Sequence, residues 1–96
     1  MTSSSLLKGQ TALITGASRG IGKAIAVTLA NAGAEVVVNY SSSPTQAEEV
    51  VSLITEAGGK AYTVQANVSD ESSVNELIKT VLEKSGQIDI LINNAG

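Results

Sequence analysis

The sequence contains no cysteine and no histidine, and its aromatic residues are two tyrosines. Without thiols or imidazoles the chain cannot form disulfides, use a thiolate nucleophile or an imidazole base, or build the usual zinc sites. Without phenylalanine or tryptophan it offers little surface on which nucleic-acid bases could stack. These absences exclude cysteine, histidine and zinc chemistry within the 96 residues, and we expect no metal site.

Charge and long apolar runs are also scarce. Six lysines and arginines stand against nine aspartates and glutamates, a net charge of −3. The basic residues form no patch of the kind that nucleic-acid binders use to displace counterions. No apolar run approaches the roughly 18 residues that span a membrane, and residues 1–5 lack the features of a signal peptide. We expect a cytoplasmic protein that binds neither nucleic acid nor membrane.

What the chain does contain is aliphatic residues in periodic runs. Its hydrophobic fraction of 43% comes almost wholly from alanine, valine, isoleucine and leucine, which suits helices packed closely on strands. A chain of this length builds one modest core. Continuous apolar runs predict buried strands over residues 11–14, 35–39, 61–65 and 88–92.

Three helices are predicted between these strands, because apolar residues recur there at spacings of three and four. The second helix begins at Pro44, with Ser43 as its N-cap and Gln46 completing a capping box, and Ser69 caps the third. Glycines at positions 33, 58 and 86 end the helices. The predicted buried stripes are Ile21, Ala24, Ile25, Leu29 and Ala32, then Ala47, Val50, Val51, Ile54 and Ala57, then Val74, Leu77, Ile78, Val81 and Leu82.

The alternation of strands and helices predicts an α/β fold with a parallel sheet, since each crossover is long enough for a right-handed connection. We expect a Rossmann-type doubly wound sheet, truncated after strand 4, with strand order 3-2-1-4. Ligands bind such sheets at the carboxyl ends of the strands, where the order reverses between strands 1 and 4. Residues 1–7 are expected to form a flexible tail, and residues 8–96 the N-terminal part of a dinucleotide-binding domain.

A glycine-rich turn follows the first strand. Glycines at Gly16, Gly20 and Gly22 let the backbone approach a phosphate, and the next helix directs its free N–H groups there. Lys23 suggests the phosphate loop of nucleoside triphosphatases, but the spacing is one residue too long and Ala24 replaces the magnesium-binding hydroxyl. The other alternative is a turn without a ligand, which is common in α/β folds.

Three further segments fall at the same sheet edge and favour the ligand. A site with converging polar loops is typical of a dinucleotide crevice. The candidate cofactor-binding residues are Gly16, Ala17, Ser18, Arg19, Gly20, Ile21, Gly22, Asn39, Tyr40, Ser41, Ser42, Asn67, Val68, Asn94, Ala95 and Gly96.

The end of strand 2 indicates which dinucleotide is bound. NAD sites usually have a carboxylate at this strand end, which accepts hydrogen bonds from the ribose hydroxyls. This chain has no carboxylate there. Glu35 opens the strand and so lies at the opposite edge. Arg19 in the glycine turn could pair with a 2′-phosphate, although a solvated loop cation is the alternative. The pattern favours NADP(H) over NAD(H).

The motifs Thr-Gly-Ala-Ser-Arg-Gly-Ile-Gly at 15–22 and Asn-Asn-Ala-Gly at 93–96 resemble the short-chain dehydrogenase/reductase family. Finer features, among them Asn-Tyr-Ser-Ser at 39–42, are similar to its bacterial 3-oxoacyl-[acyl-carrier-protein] reductases. The resemblance implies NADPH as hydride donor, a substrate linked to acyl carrier protein, and a homotetramer for the full-length enzyme. It places Gly16 to Ile21 around the pyrophosphate, Arg19 and Ser41 near the 2′-phosphate, Asn67 and Val68 at the adenine, and Asn94 to Gly96 along the ribose and nicotinamide.

The resemblance also marks a departure. In the family, the catalytic Ser, Tyr, Lys and Asn all follow the Asn-Asn-Ala-Gly turn. Tyr40 and Tyr62 do not replace that Tyr, because positions 44 and 66 hold Pro44 and Ala66 instead of lysine. We therefore predict no catalytic residue in the 96 residues, which hold the cofactor half of a ketoreductase and are inactive alone. The alternative is a stand-alone nucleotide-binding or interaction module. Either way, strand 4 becomes an exposed apolar edge.

Overall fold

The computed structural model describes residues 6–16 and 20–94. Predictions for residues 1–5, 17–19 and 95–96 lie outside the described residues. Strands and helices alternate along the chain as predicted. The elements are β1 (Thr11–Thr15), α1 (Gly20–Asn31), β2 (Glu35–Tyr40), α2 (Pro44–Glu56), β3 (Lys60–Gln65), α3 (Glu71–Ser85) and β4 (Ile90–Asn93).

The four strands form one sheet in the order β3-β2-β1-β4, and every neighbouring pair is parallel. On β1, Ile14 lies opposite Val38 of β2 and Ile92 of β4. The prediction of a Rossmann-type sheet with order 3-2-1-4 is therefore confirmed. Its order reverses between β1 and β4, so the ends of these two strands form the crevice.

The core has two layers because the sheet is covered on both faces. Ile14, Val36 and Val38 are fully buried in a cluster with residues of α1 and α2. Leu13 and Val37, whose side chains alternate with these, are buried against α3. Burial on both faces explains why β1 and β2 are continuous apolar runs in the sequence.

The predicted stripe of α1 is wrong in part. The residues that α1 buries are Gly22, Ala26 and Ala30, spaced by four, while Ile21 is 73% exposed. Ile25 and Leu29 are only partly buried against the same cluster. Small side chains at the contact let the helix axis approach the sheet, so the larger residues flank the contact line.

Of the two predicted helix caps, the first is right in position and wrong in its hydrogen bonds, and the second is wrong. Ser43 is the N-cap of α2 and Pro44 is the first residue of that helix, as predicted. The Ser43 side chain makes no capping hydrogen bond, and the buried Oε1 of Gln46 has no hydrogen-bond partner among the described residues. The N-cap of α3 is Asp70 and not Ser69. The Ser69 N–H and hydroxyl instead donate to Asn67 Oδ1, at 3.0 and 2.7 Å. These bonds form a local turn, which competes with capping.

The other corrections concern element ends. Strand β4 begins at Ile90, two residues later than predicted, because Asp89 Oδ2 accepts the Thr11 N–H that a strand carbonyl would take. Ala57 and Leu82, predicted to be buried, are exposed. Leu7 lies in a turn and donates its N–H to the Ala32 carbonyl at 2.8 Å, although the sequence assigned it to the tail. No helix among the described residues is both long and apolar enough to cross a membrane.

Candidate functional site

The carboxyl ends of β1 and β4 are joined by the hydroxyl of Thr15. This buried oxygen lies 3.1 Å from Asn93 Oδ1 and accepts the Asn94 N–H at 2.9 Å. The Asn94 side-chain amide donates to the Gly16 carbonyl at 3.2 Å. The two asparagines therefore lie beside the start of the glycine-rich turn, as the predicted sheet order requires.

The described part of the glycine turn has the backbone conformation expected of a phosphate-binding turn. Gly16 and Gly20 have φ angles of +65° and +64°, values that glycine adopts without the strain a side chain would cause. Helix α1 begins at Gly20, so its unpaired N–H groups lie at this sheet edge. Gly22 is buried and Ile21 is exposed beside it. The turn residues 17–19 lie outside the described residues.

At the end of β2, the predicted site residues fall into two groups. Asn39 is 2% exposed, and its amide nitrogen donates to the carbonyls of Val64 and Ala66 at 3.2 and 3.3 Å. These bonds use both amide hydrogens on a carbonyl of β3 and on the carbonyl just after it, so the structure gives Asn39 no side-chain donor for a ligand. Tyr40 is partly buried against the α1 and α2 cluster. Ser41 and Ser42 are exposed at the edge.

The segment after β3 forms the next part of the edge. Asn67 is exposed, and its Oδ1 accepts the two bonds from Ser69 described above. Its backbone N–H donates to the Ser73 hydroxyl at 3.2 Å. Val68 is partly buried against the α3-side cluster. The chain direction here is thus set by local hydrogen bonds among Asn67, Ser69 and Ser73.

A polar network at the opposite edge involves the one carboxylate of β2. The Ser85 hydroxyl donates to Glu35 Oε1 at 2.8 Å and lies 2.8 Å from the Tyr62 hydroxyl, which is therefore the donor to Ser85. Burial raises the pKa of Tyr62, and the negative charge of Glu35 raises it further. The Tyr62 hydroxyl thus lies at the sheet edge opposite the glycine turn, where it is hydrogen-bonded to Ser85.

A cleft of about 580 Å³ lies at this same opposite edge, lined in part by Lys8, Thr11 and Lys60. Its lining includes none of the described residues of the glycine turn, Gly16 and 20–22. No group of three or more acidic residues able to hold a metal ion occurs within 6–16 and 20–94.

Sequence reasoning missed two residues that shape the site. Thr15 was recognised as the start of the glycine motif, but its link to β4 was not foreseen. Gln65 donates its side-chain amide to the Ser41 carbonyl at 3.0 Å, and nothing in its sequence context indicates this. Thr15 links the ends of β1 and β4, and Gln65 links the ends of β3 and β2. Such contacts depend on how neighbouring strands are aligned, which a single sequence does not reveal.

Comparison with known proteins places this arrangement in context. The short chain dehydrogenase family matches residues 10–96. A 3-oxoacyl-[acyl-carrier-protein] reductase from Synechocystis is 57% identical over 90 residues, which cover 94% of this chain and 36% of the relative. The short-chain dehydrogenase/reductase homolog YusS from Bacillus subtilis is 50% identical over 84 residues, covering 88% of this chain and 77% of the relative.

Solved structures agree with the sequence comparison. A short chain dehydrogenase from Burkholderia cenocepacia in complex with NADP superposes with a TM-score of 0.90 at 45% identity. The match covers 95% of this chain and 37% of that one. The chain thus spans little more than a third of the length of the reductase and of the solved enzyme that it resembles.

Proposed function

The chain belongs to the short-chain dehydrogenase family, and we propose that it is the NADP(H)-binding part of a ketoreductase. The reaction we propose for the whole enzyme is reduction of 3-oxoacyl-[acyl-carrier-protein] to the 3-hydroxyacyl form in fatty acid synthesis. The observation that carries the proposal is the link from Thr15 and Gly16 to Asn94, which places the glycine turn beside the turn after β4. The similarity to the Synechocystis reductase supports the choice of substrate.

The described residues fit a dinucleotide at this edge. Left-handed backbone at Gly16 and Gly20 leaves no side chain where a pyrophosphate would lie, and the start of α1 supplies N–H donors to it. Exposed Ile21 offers an apolar surface beside those donors. Asn94, fixed by Thr15 and Gly16, would orient the ribose and nicotinamide half, and residues 67–68 would border the adenine. When bound, NADPH supplies the hydride for carbonyl reduction.

The preference for NADP(H) is part of the proposal. The described end of β2 has no carboxylate to repel a phosphate dianion, since Glu35 lies at the other edge in contact with Ser85. Exposed Ser41 can donate a hydrogen bond to a 2′-phosphate, and Arg19 provides the charge. The complex of the Burkholderia relative with NADP supports this choice.

Catalysis requires a proton donor and an electrophilic group at the reacting carbonyl. The family places those residues after the turn that begins at Asn93. We therefore propose that these 96 residues bind and orient the cofactor without turning it over. For the whole enzyme we propose an acyl-carrier-protein-linked substrate, a homotetramer and a cytoplasmic location.

Calorimetric titration of the 96-residue chain tests the proposal. We expect saturable NADPH binding, weaker NADH binding and no oxidation of NADPH when a 3-oxoacyl substrate is added. Arg19→Ala should weaken NADPH binding about 10-fold or more, because a charge-assisted hydrogen bond contributes roughly 1.5–3 kcal/mol, while NADH binding should stay unchanged. Lys79→Ala on α3 is the matched control for charge. The absence of saturable binding by either dinucleotide would overturn the proposal.

A further inference from the structure

The carboxyl ends of β2 and β3 are held together by side chains as well as by the strand ladder. We call this set of contacts the β2–β3 clasp. It joins residues 40–42, which include the serine proposed to bind the 2′-phosphate, to residues 67–68, which are proposed to border the adenine. Its hydrogen bonds are Asn39 Nδ2 to the Val64 carbonyl, Asn39 Nδ2 to the Ala66 carbonyl, the Ala66 N–H to the Tyr40 carbonyl, and Gln65 Nε2 to the Ser41 carbonyl.

Asn39 is the buried centre of the clasp. It pairs with Val64 in the parallel register, and its amide reaches one carbonyl beside it and a second beyond the last residue of β3. Only 2% of the residue is exposed, so water does not compete for these bonds. The amide therefore extends the connection between the strands to Ala66, one residue before the segment proposed to border the adenine.

Gln65 forms the exposed part of the clasp. Its amide donates to the Ser41 carbonyl at 3.0 Å, and the neighbouring Ala66 N–H donates to the Tyr40 carbonyl at 2.9 Å. These bonds hold the backbone of 40–41 and leave the Ser41 side chain exposed. The carbonyls of Tyr40 and Ser41 are thus held by hydrogen bonds from Ala66 and Gln65.

We infer that Asn39 is a positioning residue for the adenosine half of the cofactor, setting the distance between residues 40–42 and residues 67–68 without touching the dinucleotide. The inference rests on the proposed function, because it assigns a task to the same site. It differs from direct contact, which the sequence suggested for Asn39.

The chemistry of the clasp limits what can replace Asn39. A short planar side chain with two N–H donors reaches both carbonyls, whereas an aspartate of the same shape would set a carboxylate against two carbonyl oxygens. Both groups that Asn39 contacts in the clasp are acceptors, so a carboxylate at this buried position would carry a large desolvation cost. An acid that selects the unphosphorylated ribose could therefore be accommodated only among the exposed residues that follow.

The experiment measures binding of two probes, adenosine 2′,5′-bisphosphate and NADPH, to the 96-residue chain and its variants. Asn39→Leu keeps the number and branching of the side-chain heavy atoms and removes both donors. We expect it to weaken both probes by the same factor, about 10-fold or more, because the loss lies wholly in the adenosine half. The equality of the two losses separates positioning of this half from a general weakening of the site.

Two controls make the result specific. Asn75→Leu makes the same exchange at an exposed position of α3, and Val81→Ala destabilises the fold from the α3-side cluster. Neither should change the affinity of the folded protein for either probe. Should Asn39→Leu not fold, Gln65→Ala removes one exposed clasp bond, and we expect it to weaken the bisphosphate by about 2- to 5-fold.

The outcomes separate the two claims. Failure of the wild-type chain to bind either probe overturns the proposed function and this inference with it. Wild-type binding together with unchanged affinities in folded Asn39→Leu, or in Gln65→Ala if the first variant does not fold, overturns the inference alone. A loss in Val81→Ala as large as that in Asn39→Leu would likewise reduce Asn39 to a general structural role.

Discussion

Gly33 and Gly58 both follow helices and both have left-handed backbone, with φ angles of +105° and +92°. They differ in what surrounds them. A methyl group added to Gly33 would meet the Lys8 backbone nitrogen at 3.0 Å, whereas at Gly58 nothing lies within 4 Å. The contact at Gly33 is with backbone near the Leu7 turn, so it cannot be relieved by rotating a side chain.

We therefore predict that Gly33→Ala lowers the free energy of unfolding more than Gly58→Ala does. Both variants carry the left-handed penalty of about 1–2 kcal/mol, and Gly33→Ala adds the displacement of the Lys8 backbone. Urea unfolding followed by circular dichroism provides the comparison. Equal losses in the two variants would show that the contact has no energetic consequence.

Asn39 shows how far a single residue can be interpreted from sequence. A polar residue at the end of an apolar strand, followed by a tyrosine and two serines at a predicted crevice, is typical of a ligand contact. The structure instead buries it, and its amide donates to the carbonyl of Val64 on β3 and to that of Ala66 just after the strand. That outcome depends on the parallel register between β2 and β3, which no local pattern in the sequence specifies.

At the scale of elements, the sequence predicted the strand order and the site's edge, because both follow from alternation and crossover handedness. It predicted the buried face of α1 poorly. Apolar periodicity marked Ile21 and Ala24, whereas the contact is made by Gly22, Ala26 and Ala30. Small residues carry little hydrophobic signal, so a close helix-to-sheet contact is easily missed in favour of the larger residues beside it.

The bonds among Tyr62, Ser85 and Glu35 connect β3, the end of α3 and the start of β2. Burial raises the Tyr62 pKa above its ordinary value of 10.0. The folded chain thus holds this proton more tightly than the unfolded chain does. The resulting stabilisation is complete below pH 10 and is lost as pH rises through the pKa of the folded state.

We predict that the free energy of unfolding of the wild-type chain falls as the pH rises above about 10, and that it falls less in Tyr62→Phe. Chemical denaturation at matched pH values measures both slopes. Tyr62→Phe differs from the wild-type chain only by the hydroxyl. The difference between the two slopes therefore leaves out the other titrating groups, which both proteins share. Identical slopes in the two proteins would show that Tyr62 does not contribute.

At the scale of the whole molecule, β4 pairs only with β1 among the described residues, which leaves one side of β4 as a sheet edge. Leu91 on that strand is 58% exposed, although its partner Leu13 on β1 is fully buried. An apolar, unpaired strand edge is a site for association with another chain.

We predict that the 96-residue chain self-associates through this edge, so that sedimentation gives an average mass above 9.7 kDa at high concentration. Leu91→Lys should shift the distribution towards the monomer. Leu53→Lys, at an exposed position of α2, should not do so. A monodisperse wild-type monomer at high concentration would contradict this expectation.

Amide chemical-shift mapping during an NADPH titration tests whether the carboxyl edge of the sheet is a dinucleotide site. We predict saturable shifts at Gly16, Gly20 to Gly22, Ser41 and Ser42, Asn67 and Val68, and Asn94, while Gly9, Gly58 and Gly86 at the opposite edge stay unchanged. Shifts concentrated in the cleft near Lys8 and Lys60, or no saturable shifts at all, would contradict a dinucleotide site at this edge.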